Sequence, residues 1–337
     1  MIVITGATGH IGNILIEKLS KKEKRIRAFV LPGEDVSYIK KFGVEIIRGD
    51  IRSYSDVKKA FLGAEYVFHL AGMISIQSFD SKKLYEVNVL GTRNVVRACR
   101  ELKVKRLVYT SSIHAFLEPK DGQPITEAKT FYPSRLKGSY AKTKALATME
   151  VLEAVQSKGL DAVVVHPTGV IGPNDYRLSH IAELVIRCDR HELPMYVRGG
   201  YNFVDVRDVA DGIISACYLG KKGENYILSG GYITVADMLS VIEKEAGVSV
   251  PNKKAPMWLA KFSSYFIELH GQVQKKTPLY TPYSLHTLVS NSKTSHEKAT
   301  RELGYQPRKV QESLKDLILW LQSNRFISTG KKSAPQS

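Results

Sequence analysis

The stretch Thr5-Gly6-Ala7-Thr8-Gly9-His10-Ile11-Gly12 follows directly on the apolar run Ile2-Val3-Ile4. The apolar run predicts a buried strand, and the residues from Ile11 to Ser20 have the apolar spacing of a helix. A glycine-rich turn between a strand and a helix directs backbone N–H groups and a helix N-terminus at one point, where a pyrophosphate can bind. The opening of the chain therefore predicts a dinucleotide-binding turn, although a glycine turn alone is a weak signal.

A second segment, Tyr140-Ala141-Lys142-Thr143-Lys144, places a phenol and an ammonium four residues apart. Side chains at this spacing lie on one face of a helix, so the ammonium is expected to lower the pKa of the phenol. A Tyr-x-x-x-Lys pair in isolation is more often part of a solvated helix face. Taken together, the two segments indicate hydride transfer at a carbonyl or an alcohol, with Tyr140 moving the proton.

Apolar runs and helical patterns alternate through the first half of the chain. Helices are predicted at Ile11–Ser20, Val57–Leu62, Leu84–Leu102 and Tyr140–Ser157. Strands are predicted at Ile2–Ile4, Arg25–Leu31, Val44–Arg48, Tyr66–Leu70, Arg106–Thr110 and Ala162–His166. Strands separated by helices in this rhythm predict the α/β class, with a Rossmann-type doubly wound parallel sheet.

The alternation loosens after Pro167, which predicts a smaller C-terminal α/β region. We expect residues 1–167 to form an NAD(P)-binding domain, to which parts of residues 200–230 return. Residues 168–326 are expected to form a discontinuous substrate-binding region. The polar residues 327–337 are expected to be a disordered tail.

The composition is that of an ordinary globular protein, with 43% hydrophobic residues. No apolar run approaches the ~20 residues of a membrane span, and a first strand starting at Ile2 leaves no room for a signal peptide. The three cysteines lack metal-ligand spacing, so we expect reduced thiols, a cytoplasmic location and no bound metal. The amphipathic, aromatic segment Pro256–His270 is expected to pack over the substrate cleft or within the small domain rather than on a membrane.

The formal net charge of +16 raises the question of a nucleic-acid partner. The lysines, however, occur as dispersed pairs such as Lys21-Lys22 and Lys253-Lys254, without a basic stripe or interleaved aromatic residues. Solvated surface lysines are the simpler explanation. We therefore expect a small-molecule substrate, with neither nucleic acid nor an integral membrane segment.

The spacing of Gly6, Gly9 and Gly12 resembles that of the short-chain dehydrogenase/reductase superfamily, in its extended branch. The resemblance continues to about Trp320, and seven further motifs come in the expected order. They are Asp50-Ile51, His69-Leu70-Ala71-Gly72, Asn88-Val89-Leu90-Gly91-Thr92, Tyr109-Thr110-Ser111-Ser112, His166-Pro167-Thr168-Gly169-Val170-Ile171-Gly172-Pro173, Phe203-Val204-Asp205-Val206-Arg207-Asp208-Val209-Ala210 and Glu302-Leu303-Gly304-Tyr305-Gln306-Pro307.

This resemblance implies a role for each site residue. Tyr140 is the implied proton donor and acceptor, Ser112 (rather than Ser111) binds the reacting oxygen, and Asn88 supports the site. Lys144 lowers the pKa of the phenol and contacts the nicotinamide ribose. The implied cofactor-binding residues are Gly6, Thr8, Gly9, His10, Ile11, Gly12, Asp50, Ile51, Leu70, Ala71, Gly72, Thr110, Tyr140, Lys144, Pro167 and Val170.

Two departures narrow the choice within the superfamily. Ile113-His114 stands where nucleotide-sugar dehydratases usually carry an Asp-Glu pair, and Ala115-Phe116-Leu117 replaces the Val-Tyr-Gly segment of many epimerases. The stretch resembles the 3β-hydroxysteroid dehydrogenase and dihydroflavonol 4-reductase group. That implies an NAD(P)-dependent enzyme interconverting a ketone and a secondary alcohol on a small hydrophobic, steroid- or flavonoid-like substrate, with Ser112 and His114 contacting it.

Two other hypotheses stay open. A nucleotide-sugar epimerase or reductase of the same fold would need a diphosphate-binding arginine, for which Arg177, Arg187 and Arg198 are candidates. A non-catalytic dinucleotide-sensing protein would usually lack the tyrosine or the lysine of the motif, and this chain has both.

The cofactor prediction depends on the end of the second strand. NAD enzymes tend to place an acid there, ~20 residues past the glycines, to bind the ribose 2′-hydroxyl. Phe29–Pro32 has no acid, and Glu34 and Asp35 come slightly late, so we predict NADP, with NAD as the alternative.

The extended branch commonly forms dimers through the two helices that carry the asparagine and the Tyr/Lys motif. The apolar residues Val87, Leu90, Val95, Ala98, Ala145, Met149, Leu152 and Val155 on the corresponding helices favour a homodimer, with a monomer as the alternative.

Overall fold

The computed structural model describes residues 1–22, 25–75, 80–119, 122–264, 282–290 and 293–328. They fall into two compact units. The first comprises Met1–Thr168, Val206–Ser229 and Thr294–Pro307, and the second Gly169–Asp205, Gly230–Lys293 and Arg308–Ser337. The return of residues 294–307 to the first unit has no signal in the sequence.

The first unit is built on a seven-stranded sheet in the order β3-β2-β1-β4-β5-β6-β10, in which all strands run parallel. Its strands are β1 (Ile2–Thr5), β2 (Ile26–Val30), β3 (Glu45–Arg48), β4 (Tyr66–His69), β5 (Arg106–Thr110), β6 (Ala162–Pro167) and β10 (Asn225–Leu228). The sheet confirms the predicted Rossmann-type architecture. Thr5 pairs with His69 and His69 with Tyr109, so the strand ends that carry the motifs lie along one edge.

Helices cover the sheet of the first unit: α1 (His10–Ser20), α2 (Ser37–Lys40), α3 (Tyr54–Phe61), α4 (Ser81–Leu84), α5 (Gly91–Glu101), α6 (Ser139–Lys158), α8 (Val206–Leu219) and α12 (Glu297–Leu303). Branched and aromatic side chains from the strands pack against α3, α5 and α6 in a fully buried core that includes Phe61, Leu107 and Val151. This burial stabilises the frame on which the site residues stand.

The helix predicted over Leu84–Leu102 is interrupted. A π-helical segment, Tyr85–Leu90, separates α4 from α5. At its end Gly91 packs on the side chain of Ile51, and a Cβ on Gly91 would lie 2.7 Å from Ile51 Cδ1. π-Helical turns are frequent at functional sites, and this one carries the buried Asn88.

The second unit holds two small sheets. β9 (Gly200–Asp205) pairs antiparallel with β11 (Gly231–Thr234) and parallel with β7 (Gly169–Ile171), and β8 (Tyr196–Val197) pairs with β12 (Lys254–Ala255). The helices are α7 (His180–Asp189), α9 (Val235–Ala246), α10 (residues 257–264), α11 (Pro282–Leu288) and α13 (Val310–Ser323). Their apolar faces form a separate core.

Two sequence expectations, on the C-terminal tail and on the segment Pro256–His270, concern this second unit. Residues 327 and 328 are not a free tail, since Ile327 is buried and the Ser328 N–H donates to the Asp189 carboxylate. Residues 329–337 lie outside the described residues. Within Pro256–His270, Trp258 and Phe262 of α10 are 71% and 62% exposed, and Phe266 and Leu269 lie outside the described residues.

No helix among the described residues is long and apolar enough to cross a membrane. Cys99, Cys188 and Cys217 are buried and form no disulfide bond. In the same described ranges, no three His, Cys, Asp or Glu side chains form a group that could hold a metal ion.

Candidate active site

The glycine turn between β1 and α1 is packed tightly against the end of β4. Gly6 has φ +67°, and a Cβ there would lie 2.6 Å from the Ala71 nitrogen, so any side chain would push the two segments apart. Gly9 caps α1 without a side-chain hydrogen bond, and the first turn of α1 carries no acid. The first backbone N–H groups of α1 and its positive dipole end therefore suit a pyrophosphate.

The end of β4 is held by a buried hydrogen-bond chain. The Thr92 hydroxyl donates to the Asn88 carbonyl (2.6 Å), so His69 Nε2 must carry the proton that it shares with Thr92 (3.0 Å). His69 Nδ1 then accepts from the Thr5 hydroxyl (2.7 Å), which in turn accepts from the Ala71 N–H. Burial lowers the pKa of His69 to about 3, which keeps the ring neutral and its role structural.

Leu70, Ala71 and Gly72 join the glycine turn to the Tyr/Lys helix. A Cβ on Gly72 would lie 3.2 Å from Asn88 Oδ1 and 3.6 Å from Lys144 Nζ. Ala71 contacts Gly6 from the other side, as described above. The two motifs that are 134 residues apart in the chain (Gly6 to Tyr140) are thus separated in space by a few backbone atoms.

The Asn88 side chain forms hydrogen bonds to two segments that meet beside the end of β4. Its side chain accepts from the Met73 N–H (2.8 Å) and donates to the Met73 carbonyl (3.0 Å) and to the Thr143 hydroxyl (3.1 Å). It therefore ties the segment after β4 to helix α6. Thr143 was not among the predicted site residues, because its hydroxyl becomes relevant only when α6 packs against the π-helical turn.

Ser112 and Ser111 have different surroundings. The Ser112 side chain accepts from the His114 N–H (3.3 Å) and forms a hydrogen bond that lowers the pKa of Tyr140. The Ser111 hydroxyl is instead turned to Thr148 (2.7 Å), whose own hydroxyl donates to the Lys144 carbonyl. Of the two, only Ser112 meets the phenol.

Tyr140 and Lys144 are both buried in the first turns of α6. The Lys144 ammonium donates to the Thr110 carbonyl (2.8 Å) and lies 5.2 Å from the centre of the Tyr109 ring. Burial lowers the pKa of Lys144 to about 7 and raises that of Tyr140. The expected lowering of the Tyr140 pKa therefore comes here from Ser112 rather than from Lys144, and burial outweighs it.

The Glu34 carboxylate lies at the outer end of β2, although its place in the sequence predicted a position slightly beyond that end. Gly33 (φ +86°) turns the chain back, so the Glu34 carboxylate accepts from the Leu31 N–H (3.3 Å) and from the Thr8 hydroxyl. Tyr38 of α2 donates to the Thr8 carbonyl (2.5 Å) on the same side. An acid thus stands between the end of β2 and the glycine turn.

The remaining predicted residues are placed as follows. Asp50 accepts from Arg52 (2.6 Å to Nη2), which lowers the pKa of Asp50, and Ile51 is buried beneath Gly91. The His114 ring meets the Tyr140 ring edge-on, 6.0 Å between centres. Thr110 and Pro167 end β5 and β6, whereas Val170 belongs to β7 of the second unit.

The residues present fit a dinucleotide. Gly6 and Gly9 leave room for a phosphate, and the first turn of α1 has no acid. The buried Lys144 of α6 lies against the end of β5, where it bonds the Thr110 carbonyl, so the site suits an anionic nucleotide. This arrangement is that of the extended short-chain dehydrogenases/reductases, which are NAD(P)-dependent oxidoreductases with a Rossmann fold.

Comparison with known proteins makes the class more specific. The 3-beta hydroxysteroid dehydrogenase/isomerase family matches residues 3–233, and this chain belongs to that family. Sterol demethylase protein B of Methylococcus capsulatus is 30% identical over 96% of this chain and 99% of its own length. A putative dihydroflavonol 4-reductase of Synechocystis sp. is also 30% identical, over 97% and 96% of the two chains.

A solved structure shares the fold. UDP-glucose 4-epimerase of Thermus thermophilus in complex with NAD superposes with a TM-score of 0.76 at 23% identity, over 95% of this chain and 98% of that one.

Proposed function

We propose that this protein interconverts a ketone and a secondary alcohol on a small hydrophobic, steroid- or flavonoid-like substrate. The observation that carries the proposal is the meeting of Ser112, Tyr140 and Lys144 at the strand edge beside the glycine turn. The bound nicotinamide supplies or accepts the hydride. The names of the two relatives at 30% identity, one sterol and one flavonoid, support the same substrate range.

The proton chemistry follows from the contacts of Tyr140. In the direction of reduction, its phenol donates a proton to the carbonyl oxygen as negative charge develops there. Ser112 Oγ accepts from the His114 N–H, so when substrate binds its own proton can turn from the Tyr140 phenol to that same oxygen. In the direction of oxidation the phenolate takes the alcohol proton, and Ser112 stabilises the phenolate.

Lys144 is placed to serve both cofactor binding and proton transfer. Its ammonium has one protein partner, the Thr110 carbonyl, among the hydrogen bonds of the described residues, so it has donors left for ribose hydroxyls. A lysine with a pKa of about 7 gains charge when an anionic ligand binds nearby. That charge would then lower the pKa of Tyr140, the effect that the unliganded protein lacks.

The position of Glu34 leads us to propose a different cofactor from the one that the sequence predicts. The prediction of NADP depended on the absence of an acid at the end of β2. The Glu34 carboxylate lies there, bonded to the Leu31 N–H and the Thr8 hydroxyl. It would accept from ribose hydroxyls and repel a 2′-phosphate, so we propose NAD as the preferred cofactor, with NADP as the alternative.

One of the residues on which the epimerase alternative depends already has an acidic partner. Of its three candidate arginines, Arg187 is paired with Glu183 in α7 (2.9 Å). An epimerase would also need to hold a sugar diphosphate, which the apolar-substrate proposal does not require.

A substrate screen tests the proposal. The purified protein is incubated with oxidised and reduced NAD and NADP and with 3β-hydroxysteroids, dihydroflavonols or UDP-sugars, and the nicotinamide absorbance band is followed. We expect cofactor turnover with a steroid or flavonoid. Conversion of a UDP-sugar to its epimer without net change in the nicotinamide band would establish the alternative and overturn the proposal.

A further inference from the structure

His166 is a buried residue of β6 that none of the chemistry above uses. Its ring is fully enclosed and packs against Phe116 and Phe131, with ring centres 4.4 and 5.8 Å away. Its Nδ1 lies 3.1 Å from the Ser112 carbonyl oxygen. A carbonyl can only accept, so Nδ1 carries the proton, and Nε2 has no hydrogen-bond partner among the described residues.

The hydrogen bond from His166 to Ser112 continues the pairing of β5 and β6 beyond their last backbone hydrogen bond. The final backbone bond between β5 and β6 runs from the Ser111 N–H to the Val165 carbonyl (2.8 Å). One residue further on, the backbone ladder is replaced by the His166 side chain. The Ser112 carbonyl also accepts from the Ala115 N–H (3.0 Å), so this peptide is held from two directions.

His166 stays neutral, with the proton on Nδ1, throughout the neutral pH range. Burial lowers its pKa to about 3, and the charges of Lys144 on α6 and Lys298 on α12 act in the same direction, against the raising effect of the Ser112 carbonyl. The ring is therefore neutral whether or not Lys144 titrates.

We propose that His166 is a positioning residue of the reaction. Its Nδ1–H fixes the Ser112 peptide, and thereby the direction of Ser112 Oγ toward Tyr140 and the reacting oxygen. The inference rests on the proposed function in so far as Ser112 is the residue that binds this oxygen. A histidine with only a packing role would fill the space between Phe116 and Phe131 without setting the geometry of Ser112.

Two amide substitutions separate these roles. The side-chain nitrogen of His166→Asn lies near the position of Nδ1, whereas that of His166→Gln lies one bond further out, near Nε2. We expect His166→Asn to retain most of kcat and His166→Gln and His166→Phe to lose about 30-fold, because a 1 Å misplacement in a reacting site can cost 10²-fold. KM and the dissociation constant of the dinucleotide should change little.

A double-mutant cycle makes the assignment specific. Ser112→Ala should lower kcat on its own, and His166→Phe in the Ser112→Ala background should cause no further loss, because its effect passes through the serine hydroxyl. If the two losses multiply, or if Asn and Gln at position 166 give equal rates, His166 does not position Ser112.

A measurement without turnover distinguishes this inference from the proposed function. Tyrosine labelled with ¹³C at Cζ reports the ionisation of Tyr140, assigned by its loss in Tyr140→Phe. Because the Ser112 bond lowers the pKa of Tyr140, His166→Gln should move the midpoint to higher pH and His166→Asn should not. A shift in a protein that turns over no ketone would leave His166 in place and remove the proposed function. An unchanged midpoint in all variants would overturn the positioning role.

Discussion

The chain contains the same tyrosine–lysine spacing in two helices that end up in opposite surroundings. Tyr54 and Lys58 belong to α3, and Tyr140 and Lys144 belong to α6. At α3 both side chains bond the Glu101 carboxylate at the surface, and the pKa of Lys58 is raised by this partner. At α6 both are buried, and the pKa of Lys144 falls to about 7.

The difference shows that spacing alone does not make a reactive pair. Water and a counter-ion keep Lys58 charged at any ordinary pH, and Arg97 stacks on the partly buried Tyr54 ring. Lys144 has exchanged water for one carbonyl and an aromatic face, so its charge depends on what binds nearby. Perturbed groups in such surroundings are the ones to test first for function.

The largest expected effect is on turnover. Tyr140→Phe removes only the group that moves the proton, so we expect kcat to fall by about 10²–10⁴-fold with cofactor affinity unchanged. Tyr54→Phe is the matched control and should have the wild-type rate. Steady-state assays with the substrate found by the screen check both variants. More than a tenth of the wild-type kcat in Tyr140→Phe would exclude it as the proton donor.

A second effect is on stability as a function of pH. The folded-state pKa of Lys144 is about 7, below its ordinary value of 10.5, so the unfolded chain binds more protons between these values. Stability should therefore rise with pH through this window and be lost as the pH falls toward 7. Relative to Lys144→Met, the free energy of unfolding of the wild type should rise by roughly 3–5 kcal/mol from pH 7 to 10.

Denaturant titrations of the cofactor-free protein at each pH measure this difference. Lys58→Met is the control. Its pKa is raised, so its contribution is constant over the same range and declines only above 10.5. Parallel pH curves for wild type and Lys144→Met would show that the buried lysine keeps its charge in the folded protein.

A smaller effect is on cofactor choice. Glu34→Gln removes the charge that a 2′-phosphate would meet, so we expect the ratio of NADPH to NADH affinity to increase about tenfold. Asp35→Asn is the matched control, because the Asp35 carboxylate is bonded to Ser37 (2.8 and 2.9 Å). Fluorescence titration with both reduced cofactors measures the ratios. Equal shifts in the two variants would mean that Glu34 is remote from the ribose.

The smallest effect concerns assembly, for which we keep the prediction of a homodimer through α5 and α6. Several of the apolar side chains that favoured a dimer are buried within the chain itself. Val95, Ala98 and Ala145 are fully buried, whereas Met149 is 41% exposed and remains available for an interface. Light scattering should give twice 37.6 kDa, and Met149→Glu should weaken the dimer about tenfold. Leu319→Glu on α13 is the control. A single-chain mass for the wild type at micromolar concentration would refute the dimer.

Local patterns were enough to predict the sheet and most of its helices. Strand β5 begins and ends where the apolar run Arg106–Thr110 predicted. Helix α6 (Ser139–Lys158) agrees with the predicted Tyr140–Ser157 to within one residue at each end, because the period that defines a helix is contained in neighbouring residues. The motifs likewise named Ser112, Tyr140 and Lys144 before any geometry was known. The roles of these residues stay proposals that the experiments above test.

Other features depend on residues that are distant in the chain and had no local signal. The π-helical turn at Asn88 ends where Gly91 packs on Ile51, which lies 40 residues earlier in the chain. The Glu34 carboxylate reaches Thr8 because the turn at Gly33 folds the chain back. His166 reads as one more residue of an apolar strand until β5 and β6 are in register. Sequence periodicity reports which face a residue occupies. Which partner it meets there, and hence its charge and its chemistry, is decided by the burial and contacts of the folded chain.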